Sequence, residues 1–473
     1  MENVVKNKRL ALIKPPMTYS NWYNRPVLGL TYVCAYLEQN GFDCKIFDAY
    51  FKNWSLPELV NNIIAYNPDF IGVTSMTHEI VSAANVASTI KKSLDVPVVV
   101  GGCHATALPD RTLAEFPVFD YAIYGEGEKT VLELLEYLSN RNSKSDLASI
   151  RGLAFRSRDN IVVNEPRPFL TSEELDKLPY PAFHQYYGDN PKTLTGKDKY
   201  YIMFTSRGCP YNCAFCMQVL GRKVRLRSAE SVCQEIEYAI SRYGTHTISF
   251  EDEIFLTNTQ KTRQILNMLI DSGLSKRIRW GALTRVNMVD KDMLSLAKRA
   301  GCFRLHMGVE SGDDDILKAI GKGITVEQVR NAVDLVKDAG IESGTYFIIG
   351  HPNETRRTAQ KTIDLAAELN TKTIAVGIMV PYPGTRVYDM AKRGENGYRL
   401  LSEDWAQYDK YGGKALEVKG LSYEEMVKLQ KRAYINLYLK NIRLLDFAKF
   451  IWQRRHALCY FLAKRLRSIC KSQ

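Results

Sequence analysis

The segment Cys209-Pro-Tyr-Asn-Cys213-Ala-Phe-Cys216 is the most informative stretch of this 473-residue chain. Its cysteines follow a CxxxCxxC spacing directly after YYIMFTS, an apolar run that predicts a buried β-strand. Three thiolates on one tight loop can bind three irons of a four-iron cluster and leave the fourth iron open. Zinc and buried free thiols are the alternatives. Zinc normally takes a fourth Cys or His at a matched spacing, and none lies nearby, so the pattern favours the cluster.

Strand-like and helix-like segments alternate on the C-terminal side of this loop. The apolar runs HTISF, RIRWGAL, FRLHMGV, TYFIIG and TIAVGIM are separated by amphipathic helical patterns. Together with the strand before the cysteines they make six or more β/α units. This number and spacing predict a closed or partly closed parallel barrel, with the active site at the C-terminal ends of its strands.

A second alternating region precedes the cysteines. Short apolar runs at 9–15, 44–49, 69–75, 97–102 and 120–125 end in Gly, Pro, Ser or Asp, and helical patterns lie between them. The alternation predicts a doubly wound parallel sheet, in which ligands bind beyond the carboxyl ends of the strands. The polar and glycine-rich strand ends are Thr74-Ser75, Gly101-Gly102-Cys103-His104 and Gly125-Glu126-Gly127-Glu128.

Composition limits where the protein works. Lys+Arg total 64 against 52 Asp+Glu, a net charge of +12, and the segment 421–473 alone holds 12 basic and 3 acidic residues, or 12 − 3 = +9. This concentration predicts a local basic surface and no nucleic-acid partner. Ten irregularly spaced cysteines and the absence of a signal-peptide pattern favour a reducing cytoplasm. The apolar stretches near the C-terminus are shorter than the ~20 residues that span a bilayer, so any membrane contact should be peripheral.

The cysteine loop and the strand ends after it resemble those of the radical S-adenosylmethionine (SAM) family, with Phe215 in the aromatic position of that family's loop. The resemblance implies a [4Fe-4S] cluster on Cys209, Cys213 and Cys216. An isolated acid or arginine at a strand end is as often a structural ion pair as a cofactor ligand. The residues that the resemblance places against SAM are Phe215, Glu251, Asp252, Arg285, Glu310, Ser311 and Ile348.

The N-terminal region resembles the cobalamin-binding domain of one branch of that family. A Rossmann-like domain without a cofactor is the alternative, and the lack of GxGxxG speaks against a dinucleotide. The residues that the resemblance places at cobalamin are Leu28, Gly29, Thr74, Ser75, Gly101, Gly102, His104, Gly125, Glu126 and Gly127.

One motif departs from many cobalamin proteins. They carry DxHxxG, whose histidine binds cobalt from below, whereas this chain reads Asp48-Ala-Tyr50 at the corresponding strand end. The lower face of a bound cobalamin should therefore lack that ligand and be open, water-bound or shielded by another side chain. His78 and His104 are near by strand-end position, although a lone histidine is more often structural.

The predicted architecture is α/β: a Rossmann-like doubly wound parallel sheet, a partial (β/α)6 radical SAM barrel and a C-terminal helical segment. The predicted limits are 1–140 for the cobalamin-binding domain, 141–197 for a linker, 198–420 for the radical SAM domain and 421–473 for the basic amphipathic segment. This last segment mixes aromatic and basic residues, which is typical of a helix at a lipid surface. A helix packed over the barrel or against a partner is an equal alternative.

The resemblance also implies a reaction. A reduced cluster would cleave SAM to methionine and a 5′-deoxyadenosyl radical, which would take a substrate hydrogen. Methylcobalamin would then methylate the resulting carbon, or a phosphinate phosphorus. A second SAM would remethylate the cobalamin and leave S-adenosylhomocysteine. The implied partners are a small-molecule or lipid substrate and an electron donor such as flavodoxin or ferredoxin. Cyclisation, ring contraction or another rearrangement without methyl transfer is the first alternative. A non-catalytic corrinoid or redox sensor is the second.

Overall fold

The computed structural model of the chain describes residues 8–16, 25–139, 146–158, 160–188, 200–257, 259–410 and 412–453. Two α/β sheets dominate these residues, a mainly parallel one in the N-terminal half and a fully parallel one after it, and both are packed in apolar clusters. The predicted fold class is confirmed.

The N-terminal sheet has the strand order β2-β1-β3-β4-β5-β6-β7. Its first five strands are parallel, and β1 is buried on both faces, as expected where crossover helices cover both sides of a parallel sheet. The strands are β1 (Arg9–Lys14), β2 (Asp43–Asp48), β3 (Phe70–Thr74), β4 (Val98–Gly101), β5 (Tyr121–Ile123), β6 (Leu153–Ser157) and β7 (Asn160–Val163). The helices are α1 (Leu28–Gln39), α2 (Ala49–Lys52), α3 (Leu56–Tyr66), α4 (Ile80–Lys91), α5 (Cys103–Ala107), α6 (Pro109–Glu115) and α7 (Glu128–Leu138).

Strands β6 and β7 come from the stretch that the sequence places in a linker. They form an antiparallel hairpin, and β6 pairs with the edge strand β5 through Tyr121 opposite Phe155. Two short helices, α8 (Ser172–Asp176) and α9 (His184–Tyr187), follow. Much of the linker segment is therefore ordered against the N-terminal sheet.

The second sheet is parallel throughout, in the order β15-β14-β13-β12-β11-β8, and β8 and β15 are its two edges within the described residues. It is thus a partial barrel. Its strands are β8 (Tyr200–Met203), β11 (Thr247–Phe250), β12 (Arg279–Thr284), β13 (Cys302–Glu310), β14 (Glu342–Ile349) and β15 (Thr373–Ile378). Its helices are α10 (Ala229–Tyr243), α11 (Gln260–Asp271), α12 (Lys291–Arg299), α13 (Asp314–Ala319), α14 (Val326–Asp338), α15 (Arg356–Leu369) and α16 (Arg386–Arg393). Two short antiparallel pairs complete the sheets: β9 (Ser206–Arg207) with β10 (Arg225–Leu226), and β16 (Tyr398–Leu400) with β17 (Leu416–Val418).

Helix α17 (Tyr423–Lys440) covers the β15 edge, and α18 (Leu444–Gln453) follows it. Tyr434 Oη accepts a hydrogen bond from the Val376 backbone N–H (3.0 Å), and Gln430 Nε2 donates to the Val376 carbonyl oxygen (2.8 Å). An edge strand exposes such backbone groups unless another element pairs with them. For α17 the structure therefore agrees with packing against the barrel, and the residues after 453 lie outside those described. Within the described residues, no helix combines the length and apolar character needed to cross a membrane.

The segment after β15 also packs on the N-terminal domain. Arg111 donates a hydrogen bond to Tyr388 Oη (3.1 Å), and its guanidinium lies 4.6 Å from the centroid of the Trp405 ring. The Trp405 ring meets that of His104 edge-on at 5.0 Å. The carboxyl end of β4 is therefore held against residues that follow the barrel.

Candidate active site

The cysteines lie on a loop, residues 208–224, that is closed at its base by β9 and β10. Gly208 has φ +97°, and a Cβ there would lie 2.4 Å from the Lys223 carbonyl oxygen, so only glycine fits. The Cys209 N–H donates to the Gly221 carbonyl oxygen at 3.1 Å. This closure brings both ends of the loop to one point, which we call the neck of the cluster loop.

The three thiols are free, with Cys209 and Cys213 half-buried and Cys216 exposed. Between them, the Ala214 N–H donates to the Ile320 carbonyl oxygen (2.9 Å), which ties the loop to the barrel beyond α13. Burial raises the pKa of Cys209, and binding of a metal would favour its thiolate. Within the described residues, no three His, Cys, Asp or Glu side chains converge on a single metal ion. The cysteines of a cluster bind different irons and need not converge.

Arg285, at the end of β12, faces the cysteine loop. Its guanidinium lies 3.6 Å from the centroid of the Tyr211 ring, and its Nη1 is 3.7 Å from Cys213 Sγ. It also donates to the Lys322 carbonyl oxygen. A buried cation thus lies beside the thiols, where it would offset negative charge on a cluster.

The three acids after β11 face different surroundings. Glu251 accepts hydrogen bonds from Arg25 Nη1 (3.0 Å) and Ser249 Oγ (2.7 Å), and its side chain is partly exposed. Asp252 is fully buried and accepts from the Thr205 N–H and Oγ1 at 2.7 and 2.6 Å, and from the Ser206 N–H at 2.8 Å. These bonds hold the backbone of Thr205 and Ser206, where β9 begins. The predicted SAM contact of either residue stays a prediction.

Glu253 was missed by the sequence interpretation. Burial raises the pKa of its carboxyl group, and its buried Oε2 has no hydrogen-bond partner. An unsatisfied buried acceptor at a cofactor site indicates a missing donor. The sequence signal is the third acid of Glu251-Asp252-Glu253, but counting along the chain could not tell which acid faces the loop.

Glu310, at the end of β13, forms a buried ion pair. Lys322 Nζ donates to its Oε1 at 2.7 Å, and both side chains are 7% exposed. Glu310 has φ +72°, which is strained for a residue with a side chain. Its neighbour Ser311 is fully buried; its Oγ accepts from the Asp313 N–H (3.2 Å) and lies 3.3 Å from Thr362 Oγ1. The hydroxyl of Ser311 therefore has structural partners.

Phe215 and Ile348 are half-buried and pack against the barrel core. The Phe215 ring lies 6.1 Å from that of His351, a fully buried residue that the sequence interpretation also missed. His351 Nε2 is 3.3 Å from the Glu310 carbonyl oxygen, and its Nδ1 has no partner. Burial lowers the pKa of His351 to about 4, which keeps the ring neutral near pH 7. The sequence could not reveal this residue, because a lone histidine belongs to no motif of fixed spacing.

Three glycines follow strands of the N-terminal sheet, Gly29 in the first turn of α1 and Gly101 and Gly125 at the carboxyl ends of β4 and β5, and we call these positions the glycine edge. A Cβ on Gly29 or Gly125 would meet nothing within 4 Å, and one on Gly101 would have its nearest neighbour at 3.9 Å. Such open backbone fits the approach of a large planar ring. The remaining predicted cobalamin contacts vary in exposure: Thr74 and Gly127 are half-buried, and Leu28 and Ser75 are buried.

Gly102 lies where β3 and β4 come together. It has φ +95°, and a Cβ there would lie 2.6 Å from the Ser75 carbonyl oxygen. Tyr50 occupies the position of the missing histidine in the first turn of α2, and is half-buried. Asp48 caps that helix by accepting from the Phe51 N–H (2.8 Å). The Asp48 side chain at the end of β2 thus stabilises the start of α2.

His104 is fully buried, and neither of its ring nitrogens has a hydrogen-bond partner. It packs against Trp405, so its burial is explained by the contact between the domains. The other histidine, His78, is half-buried; its Nε2 lies 3.9 Å from Glu79 Oε1, and its Nδ1 has no partner. A role for either at cobalt stays a prediction.

The burial of His104 predicts a pH effect on stability. Burial lowers its pKa to about 4 from 6.5, so the unfolded chain takes up a proton as pH falls through 6.5 while the folded chain does not. The free energy of unfolding should therefore fall with decreasing pH. His104→Leu should remove about 2 kcal/mol of this loss between about pH 7.5 and pH 5. Urea denaturation at both pH values measures it; an unchanged pH dependence in the variant would contradict the assignment.

Comparisons with known proteins agree with this geometry. Residues 203–366 match the family model of the radical SAM superfamily, and residues 23–135 match that of the B12 binding domain. An uncharacterized methyltransferase from Pyrococcus horikoshii is 33% identical over 425 residues, covering 88% of each chain. An anaerobic magnesium-protoporphyrin IX monomethyl ester cyclase from Rubrivivax gelatinosus is 29% identical, covering 82% of this chain and 69% of its own. A cytidylyl-2-hydroxyethylphosphonate methyltransferase from Streptomyces wedmorensis is 26% identical, covering 76% of each.

One solved structure has the same fold over most of the chain. It is the radical SAM methyltransferase TsrM from Kitasatospora setae with cobalamin and a [4Fe-4S] cluster bound. The TM-score is 0.71 at 19% identity, covering 90% of this chain and 91% of that one. At this identity the likeness establishes the arrangement of the two sheets.

Proposed function

Since the chain belongs to the cobalamin-dependent radical SAM enzymes, we propose that it transfers a methyl group to an unactivated carbon, or to a phosphinate phosphorus, of a small molecule or lipid. The observation that carries the proposal is the pairing of two sites: a loop with three free thiols in one domain, and an open glycine edge in the other. Radical generation from SAM and methyl transfer are the chemistry that the bound cluster and cobalamin supply.

We assign Cys209, Cys213 and Cys216 as the ligands of a [4Fe-4S] cluster. The neck of the cluster loop fixes the first cysteine, and the bond from Ala214 to Ile320 fixes the others against the barrel. Arg285 contributes a buried positive charge next to Cys213. This charge favours the reduced, more negative state of the site.

For SAM, we assign Glu253 to the amino group, because its buried Oε2 has no hydrogen-bond partner and it follows β11 directly after Glu251 and Asp252. Phe215 and Ile348 supply apolar contacts, and His351 offers a neutral ring nitrogen beside Phe215. We also assign Arg285, Glu310 and Ser311, at the ends of β12 and β13, to SAM, as the sequence predicts. Holding the reactants in one orientation and away from water is the contribution expected of these side chains.

For cobalamin, we assign the backbone of Gly29, Gly101 and Gly125, where the space is open. Tyr50 stands where many cobalamin proteins carry the cobalt-binding histidine, so a bound cobalamin would lack that ligand. An electron donor such as flavodoxin or ferredoxin would reduce the cluster.

The test uses anaerobically reconstituted protein with SAM, hydroxocobalamin, a strong reductant and host-cell extract. The methyltransferase proposal expects both 5′-deoxyadenosine and S-adenosylhomocysteine, the latter only when cobalamin is present. Methyl-labelled SAM then traces the substrate. If 5′-deoxyadenosine alone accumulates, rearrangement without methyl transfer replaces the proposal, in line with the similarity to a cyclase. If neither product forms, the enzyme assignment fails.

We also propose that α18 and the basic segment after it contact anionic lipid. Phe447 and Phe450 on α18 pack against α17, whereas Leu444 and Leu445 are 58% and 80% exposed. Burying these two leucines in a bilayer interface is worth about 1.5–3 kcal/mol each. Leu444→Gln/Leu445→Gln should therefore weaken cosedimentation with phosphatidylglycerol vesicles by about tenfold or more. Met76→Gln, another exposed apolar residue, is the control. Equal binding by both variants would argue against a lipid contact at α18.

A further inference from the structure

The neck of the cluster loop contains two buried arginines. Arg207 on β9 lies directly opposite Arg225 on β10, and their side chains are 6% and 7% exposed. Like charges opposite each other in a ladder repel, and buried charges without partners are strongly destabilising. The neck therefore closes only if acids from elsewhere neutralise both guanidinium groups.

Those acids come from the N-terminal domain. Glu126 Oε1 accepts from Arg207 Nη1 at 3.0 Å and from Arg225 Nη1 at 2.9 Å, so one carboxylate bridges the two strands of the neck. Glu128 Oε1 accepts from Arg207 Nη2 at 2.7 Å. The other oxygen of Glu126 accepts from the Leu170 N–H at 2.7 Å. Glu126 is 4% exposed and has its bonding capacity filled by the neck and the segment beside it.

The backbone of Glu126 belongs to a different site. It lies between Gly125 and Gly127, where β5 ends and α7 begins, and the space beside Gly125 is open. This is part of the edge that we assign to cobalamin. One residue thus has its backbone at the cobalamin edge and its carboxylate between the two strands that hold Cys209.

We propose that Glu126 is a positioning residue that couples cobalamin binding to the cluster: occupancy of the glycine edge and assembly of the cluster favour each other through its carboxylate. The inference rests on the proposed function, since both cofactors must bind. Coupling between two sites is reciprocal, so it can be measured from either side. A backbone shift at Gly125 moves Glu126, and through it the two arginines.

The test is a thermodynamic cycle on the full chain. The dissociation constant of hydroxocobalamin is measured by absorbance on cluster-free and on reconstituted protein. In the parent chain the two values should differ by ~5-fold or more, the lower limit of typical coupling between sites. Glu126→Gln keeps the shape but removes the charge, and should bring the ratio close to one. Glu133→Gln is the matched control: it makes the same substitution on α7 in a partly exposed ion pair, with Arg167, and should keep the parent ratio.

A spectroscopic measurement separates positioning from simple loss of stability. The midpoint potential and the electron paramagnetic resonance spectrum of the reduced cluster should shift on adding cobalamin in the parent chain and the Glu133→Gln control. Neither should shift in Glu126→Gln. If the glutamine variant does not fold, as judged by circular dichroism, Arg225→Lys takes its place. It keeps the charge but not the two hydrogen bonds that Arg225 Nη1 donates to the oxygens of Glu126, and should give the same loss of coupling.

The results separate a failure of the proposed function from a failure of the coupling role of Glu126. If the parent chain binds no cluster or no cobalamin, the proposed function fails. If it binds both, and the ratio is one in the parent chain or unchanged in Glu126→Gln and Arg225→Lys, the coupling role of Glu126 is overturned.

Discussion

The variant Cys213→Ala should form no 5′-deoxyadenosine from SAM, while binding hydroxocobalamin as tightly as the cluster-free parent chain does. Cys213 is the middle thiol of the loop, and its loss leaves two ligands for a cluster that needs three. The glycine edge of the N-terminal sheet contains none of the three thiols, so it should keep its shape. Iron content measures the loss of the cluster, product chromatography the loss of SAM cleavage, and a titration the cobalamin affinity.

The control for this prediction is Cys233→Ala. Cys233 is a buried cysteine of α10, away from the loop in sequence and in contact with the barrel core. This variant should retain the cluster and cleave SAM. Formation of 5′-deoxyadenosine by Cys213→Ala at the parental rate would show that the loop does not hold the cluster.

The variant Lys322→Met should lower the free energy of unfolding by about 3–5 kcal/mol, because it leaves the buried carboxylate of Glu310 without its partner. The ion pair occupies the space that a side chain at Gly308 would need, since a Cβ there would be 2.3 Å from Glu310 Oε1 and 2.8 Å from Lys322 Nζ. Urea denaturation of the cofactor-free chain measures the loss.

The double variant Glu310→Gln/Lys322→Met tests the cause. Neutralising both partners should recover most of the stability, since no unpaired charge remains. If Glu310 contacts SAM as predicted, this double variant should bind SAM more weakly than the parent chain does, as measured by calorimetry. If the double variant is as unstable as Lys322→Met, packing rather than charge is responsible.

Local patterns were sufficient to predict the two sheets and the cysteine loop. Runs such as RLALIK are buried on both faces because helices cover both sides of a parallel sheet, and this requirement is visible in the sequence. The same reasoning located the glycine-rich strand ends. It could not say what faces them, because periodicity assigns residues to a face but carries no information about distant partners.

Glu126 illustrates the limit. It was predicted at cobalamin, yet its side chain pairs with Arg207, 81 positions along the chain. Glu253 and His351 are the opposite case. The sequence does not predict either residue at the site, because the contacts that bring them there join different strands. The packing of α17 depends on Tyr434 and Gln430 reaching the backbone of β15, which a helical pattern alone does not reveal.

The hairpin β6–β7 determines where the chain can be cut. A fragment ending at residue 140 would leave the β5 edge unpaired, and it would lack Tyr186, whose hydroxyl donates to Asp48 at 2.9 Å. It would also lose the Ala182 N–H that bonds the Thr31 carbonyl oxygen in α1. During synthesis, this half of the molecule therefore completes its own sheet only after residue 163 has left the ribosome, and gains these last contacts near residue 187. An N-terminal fragment meant to fold on its own should therefore end after residue 187 rather than at the end of α7.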